Sequence, residues 1–488
     1  MGAQEQPDRQ RALVLSVMAP PSEPYLPAGK DRVGLVARKI AATLIGMVVD
    51  DHRSFDSVAD ELSGLASLRA LTARDRGLAK AICLTALRHR GQIDLVLSRV
   101  LDRKPPQKAR HLLHTLHAAA AQILYMQVPE RAAVDLAVTA IAEDQRTGRF
   151  AAMTNAVLRR MCREKDSFAT PVNAATVFPQ WLASELRRDH GKQNADAIAA
   201  AIAREPMIDI TVSPRLSKPQ VQQLARELDA LLLDTGSLRL RSNAAIRDLA
   251  GYNDGIWWVQ DAASALPVRL LGNVEGMNIA DVCAAPGGKT AQLASLGATV
   301  TALDVSAHRL TRLQENLARL KLQANVVAGD LLEWRPARKF DAILLDAPCS
   351  STGTIRRHPD VMWTKTMDDA VALAALQKKL ILHAASLVKP GGLLVFANCS
   401  MLKREGETLV AELSQASEGF RLEPVTARQT GLPAAMINRQ GALRTLPSFM
   451  PQAISLRQDF ETGARDEDPL QEKFGGMDGF FACRYKVA

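Results

Sequence analysis

DVCAAPGGKT (281–290) joins an apolar run to a helical one, and its reading decides the fold of the second half of the chain. The residues leading into it, MNIADVC (277–283), form a short apolar strand, and KTAQLASL beyond it has helical spacing. Gly287 and Gly288 let the backbone approach a ligand closely, and a helix start offers free N–H groups and a positive dipole end. A nucleotide-triphosphate P-loop requires G-x-x-x-x-G-K-[ST]. Here Ala284, Ala285 and Pro286 fill the loop, so that reading fits poorly.

The same strand-then-helix rhythm repeats downstream. ATVTALDV (298–305), ANVVAG (324–329), FDAILLDA (340–347) and GLLVFANC (392–399) read as strands, separated by helices such as SAHRLTRLQENLARLKL and DAVALAALQKKLILHAASLV. After a polar segment (452–475) a last strand follows, GFFACRYKV (479–487). This alternation predicts an α/β, Rossmann-like domain over 251–488, a mostly parallel sheet with helices on both faces. Ligands of such sheets lie at the carboxyl ends of the strands. Asp304 ends the second strand, where ribose hydroxyls are read, and Asp330 follows the third, placed for an adenine amino group. One such carboxylate is an ordinary surface charge; a row of them at successive strand ends points to a nucleoside. G-x-G-x-x-G is absent, so S-adenosylmethionine fits better than a dinucleotide.

Two thiols share this edge: Cys349 in LLDAPCSSTG (344–353) and Cys399 in FANCSMLKREGE (396–407). Both are candidates for a nucleophile, and the more elaborate loop, Asp346-Ala-Pro-Cys, favours Cys349. Cys283 reads as packing within the cofactor loop, and Cys83, Cys162 and Cys483 as core. No C-x-x-C pair occurs, which argues against a zinc ribbon or a disulfide framework and fits a reducing cytoplasm.

The first part of the chain is built differently. At 488 residues the chain is too long for one core. Residues 1–30 read as a flexible tail, in which RALVLSVMAPP (11–21) is too short an apolar run for a signal peptide. From 31 to 170 the periodicity is helical almost throughout, broken at KPPQK (104–108) and VPE (128–130). HLLHTLH (111–117) sets three histidines on one helix, but no cysteine or carboxylate nearby completes a metal site. Residues 171–250 alternate helical and strand-like segments, a small α/β module. No apolar run is long enough to span a membrane. Over residues 31–166, 22 Lys and Arg face 15 Asp and Glu, which is +7 of the formal +9 and suggests a polyanionic partner.

VQDAAS (259–264), DVCAAPGGKT (281–290), LDVS (303–306), LLDAPCSSTG (344–353), ANCS (397–400) and MDGFFACRYK (477–486) occur in one order. Together they closely resemble the Fmu/Sun family of S-adenosylmethionine-dependent RNA 5-methylcytosine methyltransferases, over about 250–488. MTNAVLRRM (153–161) resembles the signature of the NusB-like RNA-binding domain carried by the RsmB branch, which methylates cytosine in small-subunit ribosomal RNA.

The resemblance implies that Cys399 is the nucleophile and that Cys349 assists product release, reversing the preference drawn from the loop. Asp346, following the fourth strand, is placed to contact both the cofactor and the cytosine edge as a general acid. Lys289 resembles the family lysine near the methionine tail and target base, and Cys283, Ala284, Ala285, Pro286, Gly287, Gly288, Lys289, Asp304, Asp330 and Asp346 are the expected cofactor-binding residues. Arg and Lys within 69–110, with Arg159, Arg160 and Arg163, are candidates for the RNA backbone. A monomer is the favoured state. Where the family usually has Thr before the nucleophile, this chain has Asn398, and local tuning is expected there. Two other functions fit the same residues: methylation of transfer RNA, or a non-catalytic RNA-binding assembly factor. Retention of both cysteines weighs against the latter.

Overall fold

The computed structural model describes residues 34–64, 71–103, 105–168, 171–241, 245–416, 419–449 and 476–488. The expected tail (1–30) and the polar segment at 452–475 lie outside them.

Among the described residues, the first domain contains the helices α1 (Leu35–Val49), α2 (Phe55–Gly64), α3 (Ala73–Arg88), α4 (Arg90–Val100), α5 (Arg110–Tyr125), α6 (Glu130–Ala142) and α7 (Ala151–Arg163). Both sequence breaks mark joints. The KPPQK segment separates α4 from α5, and Pro129 caps α6, where a missing N–H costs nothing. Thr72 caps α3 by accepting from Asp75 N. Helix α5 runs through the centre, where Leu112, Leu116 and Ile123 are fully buried and Ala118–Ala121 let neighbouring helices come close.

The histidines of α5 are structural. His114 Nε2 lies 2.8 Å from Asp50 Oδ2, and His117 Nε2 lies 2.8 Å from Asp94 Oδ1. Burial lowers His114 to about 4 despite its aspartate. His89, stacked on Tyr125 at 3.7 Å, is likewise lowered to about 4 by burial. Between pH 6.5 and 4 the unfolded chain therefore binds protons that the folded domain refuses, and stability falls as the pH falls. Each histidine is expected to cost about 2 kcal/mol on going from pH 7 to pH 5. Urea unfolding of His89→Gln at the two pH values should display a smaller loss than the parent.

Helices α8 (Ala174–Val177) and α9 (Gln180–Ile202) lead into an antiparallel sheet of β1 (Asp209–Val212), β2 (Ala230–Leu232), β3 (Leu238–Leu240) and β4 (Trp257–Val259), with α10 (Lys218–Glu227) between β1 and β2. The strand order is β2-β3-β1-β4. The sequence boundary at 250/251 cuts this sheet, because Trp257 and Trp258 pair with Val212 and Thr211. The aromatic pair belongs to the small module's sheet, and we propose a junction after Val259. Asp209 and Arg239 form a buried bidentate pair at 2.7 and 2.8 Å, and Asp209 also accepts from Ala262 N at 3.1 Å.

The third region contains β5 (Asn278–Val282), α11 (Gly288–Ser295), β6 (Thr299–Asp304), α12 (Ala307–Leu320), β7 (Asn325–Ala328), β8 (Phe340–Asp346), α13 (Val361–Thr364), α14 (Met367–Ser386), β9 (Val388–Asn398), α15 (Glu407–Ala416), β10 (Phe420–Leu422), β11 (Leu443–Thr445) and β12 (Phe480–Val487). Strand order is β10-β12-β9-β8-β5-β6-β7, with β11 paired to β12. Strands β5 to β9 pair in parallel; β12 runs antiparallel to β9. Ile343, Leu344, Leu345, Val395 and Phe396 are fully buried because helices cover both faces of the sheet. Order reverses between β5 and β8, the switch point at which such sheets bind ligands.

The helical domain is docked tightly on the rest. Arg88 is buried and donates to Ile202 O at 3.0 Å and to Arg356 O at 2.7 Å. Trp363 Nε1 donates to Leu87 O at 2.9 Å, Phe55 N to Asp360 Oδ2 at 3.0 Å, and the Arg90 guanidinium lies 5.6 Å from the Trp363 ring centre.

Candidate active site

The site is assembled at the carboxyl ends of β5, β8 and β9, with the start of β12 closing it. From β5 the chain enters the loop Cys283–Gly287. Cys283 itself adopts φ 63°, a left-handed conformation uncommon for a side-chain-bearing residue and one found at functional turns. Gly287 has φ 101°, and a Cβ there would sit 2.7 Å from Leu313 Cγ, so only glycine fits ahead of α11.

Three features of this loop suit a nucleoside with an amino-acid tail. Ala285 N donates to Asp304 Oδ2 at 3.1 Å, which fixes this carboxylate beside the loop. Asp304 Oδ1 also accepts from Ser306 N and from Arg309, both at 2.9 Å. Under the loop, Asp281 is fully buried; Thr290 donates to its Oδ2 at 2.6 Å, while Oδ1 has no hydrogen-bond partner. Such an orphaned acceptor fits an ammonium group. Burial raises the Asp281 carboxyl to about 7. Asp330 is exposed beyond β7, and its Oδ1 accepts from Leu332 N at 2.9 Å. The residues present therefore fit S-adenosylmethionine.

Strand β8 delivers Asp346, whose Oδ2 accepts from Lys289 Nζ at 2.7 Å. Lys289 is buried, donates also to Ser264 Oγ at 3.2 Å, and lies 4.9 Å from the Phe480 ring centre. Cys349 and Cys399, fifty residues apart in sequence, come together with Sγ atoms 3.5 Å apart. Cys349 is buried and Cys399 half-buried. The hydrogen bond to Cys399, then burial, raises the Cys349 thiol well above its ordinary value. Cys283 is pushed up to about 12 by burial and by Asp346, Asp304 and Asp281, which makes it an inert thiol.

Asn398 is fully buried. Its Nδ2 donates to Glu405 O at 2.7 Å and its Oδ1 accepts from Ser400 N at 3.0 Å. The amide thus ties the two ends of the Cys399 turn, using a donor and an acceptor at once. Cys83 and Cys483 are core residues, and Cys162 is half-buried against the helical core. Among the described residues no cluster of His, Cys, Asp or Glu is placed to hold a metal.

Sequence reading missed three contributors. Glu405, not singled out within the polar MLKREGE, is fully buried. Arg357 and Asp478 form a salt bridge behind the thiols, with Arg357 Nε 3.0 Å from Asp478 Oδ2. The motif quoted as MDGFF contained Asp478 without revealing its partner. Among the expected RNA-contacting cations, Arg88 and Arg90 are withdrawn, because both are buried in the domain junction. Arg74, Arg76, Arg99 and Arg103 are exposed, as is Arg159.

A family model described as 16S rRNA methyltransferase RsmB/F matches residues 268–452, and the NusB family model matches residues 35–163. Ribosomal RNA small subunit methyltransferase B of Pasteurella multocida is 33% identical over 412 residues, 81% of this chain and 91% of that protein. Its counterpart in Xanthomonas campestris is 34% identical over 410 residues, with the same coverage. In fold, the crystal structure of PH0851 superposes with a TM-score of 0.69 at 21% identity, covering 94% of this chain and all of the other. A methyltransferase homolog protein from Pyrococcus horikoshii covers 64% of this chain and 96% of its own, with a TM-score of 0.50 at 24% identity. The chain belongs to the RsmB/F methyltransferase family: it is an S-adenosylmethionine-dependent RNA methyltransferase carrying a NusB-family domain at its N-terminal side.

Proposed function

We propose that the chain methylates C5 of a cytosine in small-subunit ribosomal RNA, in the cytoplasm, through a covalent adduct in which Cys399 is the nucleophile and Cys349 assists release. The observation that carries this reading is the pair of thiols 3.5 Å apart beside the Lys289–Asp346 pair. Cytosine C5 is a poor nucleophile by itself. Addition of the Cys399 thiolate to C6 forms an S–C6 bond and moves the C5=C6 π pair onto C5, while N3 takes up a proton; this is covalent catalysis. Asp346 is the general acid at N3 and Lys289 orients its carboxyl. The cofactor, when bound, supplies an electrophilic methyl group. Loss of the C5 proton to a base then re-forms C5=C6 and breaks S–C6, with sulfur leaving as thiolate and the N3 proton returning to the Asp346 carboxylate. Cys349, held as a thiol by burial and by its hydrogen bond, carries the proton that quenches that thiolate.

The target base must leave its stack to reach these groups, at a cost of a few kcal/mol when paired. The exposed cations of the helical domain support a role in holding the RNA backbone. Bisulfite sequencing of ribosomal and transfer RNA from cells with and without the gene tests the proposal. Loss of one 5-methylcytosine from small-subunit RNA is expected. Loss from transfer RNA alone would reassign the substrate, and no loss in either would favour an assembly factor.

A further inference from the structure

Glu405 is fully buried, and no step above uses it. Its carboxylate accepts from Ser350 N at 2.8 Å, Ser350 Oγ at 2.5 Å, Ser400 Oγ at 2.6 Å and Gln377 Nε2 at 3.0 Å. The two hydroxyl distances are those of charge-assisted O–H···O⁻ bonds. A carboxylate is acceptor-only when ionised, so four converging donors match the charged form. Burying a charge is unfavourable unless hydrogen bonds compensate it, and a neutral network would tether one loop at lower cost. What distinguishes this carboxylate is where its donors come from.

Ser350 and Ser400 are the residues directly after Cys349 and Cys399. Gln377 also donates to Pro348 O at 2.9 Å, the residue before Cys349, and Asn398, before Cys399, donates to the Glu405 backbone. Cys399 is thus flanked on both sides by residues bonded to Glu405, and Cys349 by Ser350 directly and by Pro348 through Gln377. The two serine hydroxyls lie 3.1 Å apart on this carboxylate.

We propose that Glu405 is a positioning residue that sets the separation of the two thiols by binding the serine behind each of them. The catalytic consequence rests on the two-cysteine reading above: thiols held in contact allow release to follow methylation. The Glu405 charge also opposes ionisation of Cys349, after the larger effects of the Cys399 hydrogen bond and burial.

Phenylarsine oxide, added to the full-length protein, reads the spacing without any catalysis. It bridges two thiols in contact, forming two As–S bonds with loss of water. The parent should bind one equivalent, and the Cys349→Ser control should lose it. Glu405→Gln puts an amide N–H among donors and is expected to weaken the bridge by roughly tenfold or more, with cofactor affinity unchanged and steady-state turnover reduced. A purely structural role would lower the unfolding temperature yet leave arsenical affinity of the folded protein intact, and that result overturns the proposal. Should Glu405→Gln fail to fold, the Ser350→Ala/Ser400→Ala double variant removes the same tethers and keeps the carboxylate; unchanged arsenical affinity there also overturns it. A weakened bridge with normal turnover would uphold the spacing role and count against the two-cysteine mechanism instead.

Discussion

Cys349→Ala, incubated with RNA and cofactor, is expected to accumulate a covalent protein–RNA adduct that survives denaturing gel electrophoresis, while Cys399→Ala forms none. The two variants should both lose turnover but at different steps. Without Cys399 no S–C6 bond forms, and the loss should reach about 10⁴-fold or more, as for other covalent nucleophiles. Without Cys349 the adduct forms and methyl transfer occurs once, but the leaving thiolate has lost its proton source, a general-acid effect of about 10²–10⁴-fold. The structure gives the asymmetry a physical basis. Cys349 is the more buried of the two, and its thiol is raised by the hydrogen bond it shares with Cys399 and by burial, which keeps it in the protonated form that a proton donor needs. An adduct with the Cys399 variant, or none with the Cys349 variant, would sink the assignment.

Gly353→Ala should also be strongly damaging although it touches no reacting atom. Gly353 N donates to Cys399 O at 2.9 Å, and Gly479 N donates to Gly353 O at 2.9 Å. A Cβ at 353 would lie 1.9 Å from Gly479 O and 2.8 Å from Cys399 O. Both are backbone atoms, so no side chain can swing aside; either the Cys349 loop lifts or the other two segments separate. Overpacking of this kind costs about 1–3 kcal/mol, and backbone contact places it at the upper end. A displacement of about 1 Å at the thiols is enough for roughly a hundredfold loss of turnover. Thermal unfolding and turnover measured together check both effects, with cofactor affinity expected to hold because the β5 loop is not involved. Normal turnover would mean that this three-way backbone contact does not set the thiol geometry.

How legible the fold was depended on the kind of signal each residue carried. The buried strands at 278–282, 299–304, 340–346 and 388–398 declared themselves because both their faces are covered, which writes nearly continuous apolar runs. The strands at 420–422 and 443–445 did not, since three residues are too few to display a period. WWV (257–259) was legible as apolar but not as a partner of β1, because pairing is a long-range property. At the site, local loops were visible as spacing: glycines 287 and 288, and a thiol after each of two strands. Glu405 was invisible, because a carboxylate in KRE looks the same whether it meets water or four buried donors. Arg88 and Arg90 misled for the same reason, their charge being countable and their burial not.

The stretch from Cys349 to Trp363 contains both a thiol and the anchor of the helical domain. Trp363 lies only fourteen positions beyond Cys349, and between them the Arg356 carbonyl accepts from Arg88 and Asp360 accepts from Phe55 N. Trp363 packs at once against the helical core and against the core under the Cys399 turn. The N-terminal domain is therefore not a bead on a string but part of the support of that segment. A lineage that lost or replaced it would inherit a bared tryptophan and an unanchored segment one step from the chemistry. In this chain, the position of the Cys349 segment therefore depends on a domain that contributes no reacting atom.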